Sequence, residues 1–251
     1  MSEWTILPTY QQGRTAKDFA SLEDAFSCGG ELVTQSSLCT VSRLCYDGEE
    51  YYIKRYLGPA EGAARFFGKS KAKREWENLS RFSQWGLSPA ELVAYGEESR
   101  WYKRRGVVIT RGVKNAVDMA ALAREKSPLL KNDHWVRSVC RQVAHATQVM
   151  HQNCFGHNDW KWRNILINGP EDDPRVHMID CPAGTFWSEP FLSYRKIKDL
   201  ACLDREARPV LTRSQRLYFY KQYTGRDKLS AKDKRIIRKV IQFYKGRKSD
   251  A

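Results

Sequence analysis

The run His157-Asn158-Asp159-Trp160-Lys161-Trp162-Arg163-Asn164 gathers a carboxylate, an ammonium and a carboxamide into one short stretch. These groups suit transfer of a phosphoryl group to a hydroxyl. Asp159 would take the proton from the attacking hydroxyl. Lys161, two residues on, points the same way and offsets charge spreading over the transferred oxygens. Asn164 would present an uncharged oxygen to a metal, and His157 would hold the loop by hydrogen bonds. A second metal-binding carboxylate is Asp180, which ends the apolar run Val176-His177-Met178-Ile179 and suits Mg²⁺. A lysine flanked by strand residues, Tyr52-Ile53-Lys54-Arg55, would reach the α- and β-phosphates of a triphosphate donor. Its carboxylate partner lies among Glu75 and Glu77. Glu75 is favoured because it neighbours the face marked by Trp76, Leu79 and Phe82.

Each feature has a plainer reading when taken singly: a polar loop with capping residues, a turn aspartate, a surface lysine. The order strand lysine, helix glutamate, His-x-Asp-x-Lys-x-x-Asn loop, strand-end aspartate follows the layout of protein-kinase-like phosphotransferases.

The elements that must position these groups can be read from periodicity. Glu31–Thr34, Thr40–Cys45 and Tyr51–Tyr56 read as strands, with Asp47-Gly48 as a hairpin turn. A basic linker from Gly58 to Lys69 follows, then a helix over Lys71–Gln84 that Gly86 and Pro89 end. Leu92–Tyr95 and Val107–Thr110 read as two more strands, with an exposed turn around Glu97–Arg104. From Val117 the texture is helical. Val117–Glu125 is a short helix, and Asn132–Gln152 a longer one with Val136, Val139, Val143, Ala146 and Met150 as its buried stripe. Ile165–Ile167 and Val176–Ile179 are small strands, and the chain beyond Asp180 turns irregular, then helical. The expected fold is α+β and bilobal: a small antiparallel-sheet N-lobe with one helix, then a larger helical C-lobe. The expected division is an N-terminal extension over 1–30, the N-lobe over 31–112 and the C-lobe over 113–251.

Composition narrows the function. The 251 residues carry 43 Lys/Arg against 29 Asp/Glu, a formal charge of +14, and the excess is concentrated. Residues 195–248 hold 18 Lys/Arg and 5 Asp/Glu, a stretch that should attract a polyanion such as an anionic leaflet or a phosphorylated glycolipid. Tyr218, Phe219, Tyr220 and Tyr223 lie among these charges, either at head-group level or as helix core. No zinc-finger, RNP or helix-turn-helix pattern is present, so nucleic acid is not the expected partner. The seven cysteines are scattered without a Cys-x-x-Cys pair, which points to a reducing cytosol. The longest apolar runs, such as Val107-Val108-Ile109, are far short of a bilayer span, and the N-terminus does not read as a secretory signal.

The chain resembles the lipopolysaccharide kinase (Kdo/WaaP, InaA-like) family of bacterial relatives of the protein-kinase fold. The residues that carry the resemblance are Lys71-Ala72-Lys73-Arg74-Glu75-Trp76-Glu77-Asn78-Leu79, the 157–164 loop, Ile179-Asp180 and Lys198-Asp199-Leu200-Ala201-Cys202-Leu203. It extends from about Glu31 to about Phe243. It implies ATP as donor and a heptose or Kdo hydroxyl of the lipopolysaccharide inner core as acceptor. It also implies work at the cytoplasmic face of the inner membrane, and a bracing role for Asp199. By the same analogy, Thr110 and Gly112 would lie beside the adenine. The turn Gln35-Ser36-Ser37-Leu38-Cys39 stands where protein kinases carry a glycine-rich loop. Backbone amides and the Ser36 and Ser37 hydroxyls would contact phosphate there. Cys181-Pro182 replace Phe-Gly, and Asn158 replaces the arginine that answers a phosphorylated activation segment, so control by such phosphorylation is not expected. Two other readings are a pseudokinase scaffold at the membrane surface and a kinase of this fold acting on a protein or small molecule.

Overall fold

The computed structural model describes residues 2–46, 48–58, 68–100 and 103–245. Asp47 of the expected hairpin turn, most of the expected basic linker and two residues of the expected 97–104 turn lie outside the described residues. The chain divides into two compact units, residues 2–114 with 180–182, and residues 115–179 with 183–245.

The first unit is built on one antiparallel sheet. Its strands are β1 (Ser2–Ile6), β2 (Glu31–Gln35), β3 (Cys39–Tyr46), β4 (Glu49–Gly58), β5 (Leu92–Arg100) and β6 (Lys103–Arg111), in the order β1-β5-β6-β4-β3-β2. Two short helices, α1 (Gly13–Asp18) and α2 (Leu22–Ser27), lie between β1 and β2. The first thirty residues, expected as an extension, thus supply an edge strand paired with β5 and two helices. Side chains alternate across β4. Tyr51 and Ile53 pack with Tyr10, Phe19, Leu22 and Ala25. Arg55, on the same face and 8% exposed, donates to the carbonyls of Ala25 (3.0 Å) and Cys28 (2.6 Å). The N-terminal segment is therefore tied to the sheet by a buried guanidinium as well as by apolar contact.

The opposite face of β4 carries Tyr52, Lys54 and Tyr56. Tyr56 and Lys54 meet helix α3 (Lys71–Gln84), whose bounds match the periodicity. Ser70 caps α3, its hydroxyl accepting from the Lys73 amide at 2.9 Å. Ala72, Glu75, Leu79 and Phe82 recur at helical spacing and are buried, so Glu75 sits within the apolar stripe and not beside it.

The second unit is mainly helical. Strand β7 (Val117–Asp118) and helix α4 (Met119–Arg124) replace the single short helix expected there. Asp118 ends the strand and caps the helix, accepting from the Ala121 amide at 2.8 Å. Helix α5 (Asp133–Gln152) starts after the cap Asn132, and all five expected stripe residues are buried. Strand β8 (Phe155–Gly156) precedes the 157–164 loop. Strands β9 (Ile165–Asn168) and β10 (Arg175–Met178) follow it, in a sheet ordered β10-β9-β7. β11 (Thr185–Phe186) pairs with β8. Three helices complete the unit: α6 (Phe191–Ala207), α7 (Arg213–Thr224) and α8 (Ala231–Gln242). Thr212–Gln215 and Ser230–Asp233 form capping boxes at the starts of α7 and α8. Leu200, Ala201, Tyr220 and Val240 join the three helices in one apolar cluster.

Candidate active site

In the first unit the structure brings Lys54, Glu75 and Asp180 together. The Lys54 ammonium lies 2.6 Å from the Glu75 carboxylate and 3.2 Å from that of Asp180. β4 is a central strand, with Lys54 opposite Val41 on β3 and Val108 on β6, so its backbone is fixed on both sides. Burial alone would lower the lysine pKa. Glu75 and Asp180 outweigh it and hold Lys54 above the ordinary lysine range, so the ammonium persists across physiological pH. The Glu75 side chain is wholly buried and accepts the Tyr56 hydroxyl as well. Glu77, the alternative partner, instead pairs at the surface with Lys69 (2.6 Å) and Arg81 (3.2 Å).

Asp180 has φ +61, a left-handed backbone that aspartate tolerates better than most residues. Its position is secured next door, where Asn78 of α3 donates to the Cys181 carbonyl at 2.8 Å. Asn78 is three residues from Glu75, so one helix face anchors both the lysine's partner and the segment bearing Asp180.

The remaining expected nucleotide contacts lie elsewhere in the same unit. Ser36 turns its hydroxyl inward on its own turn, accepting from the Cys39 amide (3.0 Å) and donating to the Cys39 carbonyl (3.2 Å). Ser37 is exposed. Thr110 is buried on β6 opposite Tyr52. The Gly112 amide donates to the Glu50 carbonyl at 2.7 Å. A Cβ at Gly112 would come within 2.9 Å of that of Glu50, so the close approach requires glycine.

The second unit holds Asp159, Lys161 and Asn164. Asp159 accepts from Lys161 at 2.6 Å and lies 3.2 Å from Arg163. Burial pushes the Asp159 carboxyl up, but Lys161 and Arg163 more than offset this and hold it below the ordinary aspartate range. It is thus an ionised acceptor at neutral pH. Asn164, nearly fully buried, donates its Nδ2 to the Asp159 carbonyl at 2.8 Å, and its own carbonyl accepts the Ile179 amide at 3.1 Å. That leaves the Oδ1 of Asn164 as the side-chain atom suited to a cation.

The loop hangs from α6. The fully buried Asp199 accepts the amides of His157 (2.7 Å) and Asn158 (2.8 Å) and lies 3.3 Å from His151. Seven residues along α6, Glu206 accepts the Trp162 amide at 2.5 Å. The two carboxylates therefore hold both ends of the loop from one helix face. Asn158 adopts φ +66 and donates its side chain to the carbonyls of Gly156 (3.2 Å) and Ala183 (2.8 Å). Trp160 is buried, donating its indole N–H to Thr147 at 2.9 Å.

Tyr56, Asn78 and Glu206 were missed in the sequence. Period two from Lys54 marks Tyr56, and helical spacing from Glu75 marks Asn78. Glu206 shares a face with Asp199, but a glutamate in a basic helix carries no distinguishing mark. Taken unit by unit, the donors suit the parts of Mg·ATP: in the first unit a charged lysine for phosphate and the Asp180 carboxylate for a hard cation, in the second the carboxamide oxygen of Asn164. Among the described residues there is no cluster of three or more His, Cys, Asp or Glu side chains that could hold a metal ion by themselves.

The second unit also contains an apolar cavity of about 540 Å³. Val139, Val143, Leu200, Leu203 and Val240 are among the residues lining it, and Arg208, Arg213 and Arg216 add basic groups.

Comparison with known proteins places these features. The chain is 26% identical over 192 residues to the lipopolysaccharide core heptose(I) kinase WaaP of Pseudomonas aeruginosa, covering 72% of this chain and 71% of that protein. A solved structure described as WaaP in complex with acyl carrier protein shares its fold, with TM-score 0.72 at 20% identity, over 97% of this chain and all of the other. The fold is thus an α+β arrangement like that of WaaP. The profile of the lipopolysaccharide kinase (Kdo/WaaP) family matches residues 32–228, a span that includes Lys54, Glu75, the 157–164 loop, Asp180 and Asp199, and the chain belongs to that family of phosphotransferases.

Proposed function

We propose that this protein transfers the γ-phosphate of ATP to a sugar hydroxyl, of heptose or Kdo, in the lipopolysaccharide inner core. The observation that carries the reading is the Lys54 ammonium held between Glu75 and Asp180, the arrangement a phosphate-binding lysine needs. Lys54 would hold the α- and β-phosphates. Asp180 and Asn164 would hold Mg²⁺, which draws electron density from the phosphate oxygens when bound. Asp159, ionised and pinned by Lys161, would accept the sugar hydroxyl's proton. Lys161 would steady the charge on the transferred group. Ser36, Ser37, Thr110 and Gly112 remain the nucleotide contacts expected around them, with Ser36 acting through the shape of its turn.

The acceptor would be a glycolipid at the cytoplasmic face of the inner membrane, with the protein bound peripherally to the anionic leaflet. Among the described residues no helix is long and apolar enough to cross a membrane. An acyl carrier protein is a further partner, as in the solved WaaP complex. The apolar cavity with its basic residues supports that reading, because it suits a hydrocarbon chain bearing an anionic end.

The test is phosphoryl transfer from Mg·ATP to purified core oligosaccharide, read by mass spectrometry as one added phosphate. The native chain should give the product, and Asp159→Asn should lower turnover by roughly 10²–10⁴-fold with the fold intact. An unphosphorylated oligosaccharide with the native chain would overturn the acceptor assignment. Undiminished turnover in the variant would remove Asp159 as base.

A further inference from the structure

The start of α6 carries a surface that the phosphotransfer chemistry does not use. Phe191 is 62% exposed and Tyr194 45%. Phe191 and Tyr194 stand three residues apart, neighbours on one helix face. Trp187 packs beside Phe191, with ring centroids 6.4 Å apart. The Arg195 guanidinium lies 4.1 Å over the Trp187 ring and 5.6 Å from that of Tyr194. This stack is rigidly based: a Cβ at Gly156 of β8 would come within 3.0 Å of Arg195 Cβ. The four aromatic residues at 218, 219, 220 and 223 are not part of this surface. Tyr220 is core, Phe219 and Tyr223 pack against the same apolar cluster, and Tyr218 lies under Arg137.

The exposed rings are continuous with a cationic helix. Tyr194 meets Phe243, the residue after α8, at 5.6 Å. Lys232, Lys234, Arg235, Arg238 and Lys239 of α8 are all exposed, and none forms an ion pair among the described residues. The one acid of α8, Asp233, is buried in its capping box. Glu189 lies close enough to Lys232 to feel its charge, but the helix stays strongly basic, and exposed aromatics beside it match the two layers of an anionic bilayer surface. Rings settle at the head-group level, and each lysine or arginine near the phosphates contributes about 1 kcal/mol.

We propose that the Phe191–Tyr194 surface and the outer face of α8 together dock the protein on an anionic lipid leaflet. This deepens the membrane part of the function proposed above by naming the surface. An acidic protein partner would also use exposed rings and charges, but the acceptor proposed above is lipid-borne and brings this surface to an anionic leaflet, so the bilayer is the occupant favoured.

The experiment is co-sedimentation of the full chain with phosphatidylglycerol-containing vesicles and with neutral phosphatidylcholine vesicles, at low and high salt. The native chain should bind the anionic vesicles and release at high salt. Phe191→Ser combined with Tyr194→Ser should weaken binding about tenfold, from the lost burial of two rings. Charge reversal at Lys232, Lys234 and Arg238 should erase the preference for anionic lipid. All five positions are solvent-exposed or lie on the rim, and a unchanged urea midpoint would confirm folding of each variant. Equal binding to neutral vesicles, undiminished binding by the ring variant, or binding of acidic proteins without binding of vesicles would overturn the proposal. A parallel assay with lipid-free core oligosaccharide separates this proposal from the kinase reading. The ring variant should phosphorylate that soluble acceptor as the native chain does. If the native chain binds vesicles but phosphorylates no acceptor, the docking surface stands and the kinase reading fails.

Discussion

Two regions of the molecule immobilise functional groups in different ways. In the first unit Lys54 is fixed by side-chain charges, Glu75 at 2.6 Å and Asp180 at 3.2 Å. In the second unit the 157–164 loop is fixed largely through its backbone, with amides of His157, Asn158 and Trp162 delivered to Asp199 and Glu206. A charge cluster positions one ammonium and leaves its strand untouched when altered. A backbone suspension positions every side chain on the loop at once, so stability and chemistry depend on the same bonds. The difference separates two kinds of failure: misplacement of a single group, and loosening of a whole segment.

The backbone suspension of the loop is most vulnerable at Asp199. Asp199→Ala leaves two buried amides without an acceptor, which should destabilise the protein by about 3 kcal/mol. Urea unfolding should show the loss, and turnover should fall with it because Asp159, Lys161 and Asn164 all move. A variant with native stability and native turnover would mean that the loop is not held from α6. Glu75→Gln should behave in the opposite manner. The amide keeps the shape: its one oxygen accepts from Lys54 and its NH2 donates to the Tyr56 oxygen, so thermal stability should stay within a few degrees. Lys54 then has only Asp180 as a charged partner, and turnover should drop roughly 100-fold through misplacement. A large loss of stability with turnover intact would make the pair structural and erase the contrast.

How much was legible follows the same division. Helix α3 was readable to its ends because its apolar residues recur at helical spacing between Ser70 and Gly86, and α5 because its five-residue stripe is uninterrupted. Lys54, Glu75 and the loop residues were singled out through spacing, since the chemistry expected of them dictates residue type. The edge strand β1 and helices α1 and α2 were not. Tyr10 and Phe19 reach the core from outside these helices, and Leu22 and Ala25 from a six-residue helix too short to show a period. β5 and β6 are longer than expected because Glu97, Glu98, Arg104 and Arg105 continue the pairing where hydropathy ends. Their charges meet across and beside the strands, with Arg105 2.9 Å from Glu98. The division between α6, α7 and α8 was written in their caps, Thr212 with Gln215 and Ser230 with Asp233, which the high charge of the region obscured.

The finest test of the contrast is the protonation of Asp159. Burial raises its pKa, and Lys161 with Arg163 lowers it further than burial raises it, so the folded carboxyl titrates below the unfolded one. A depressed folded pKa means that the interaction contributes stability above the ordinary aspartate value of about 3.9 and loses it as pH falls through the folded value. The resonance of the Asp159 carboxyl carbon should therefore titrate below that value in the native chain. Lys161→Met, which removes the nearer cation and keeps the length of the side chain, should move the titration upward while the Trp162 and Asn158 amides remain protected from exchange, because their acceptors lie on α6. If those amides lose protection along with the shift, the ion pair and the backbone suspension are one device, and the loop is held by charge in the same way as Lys54.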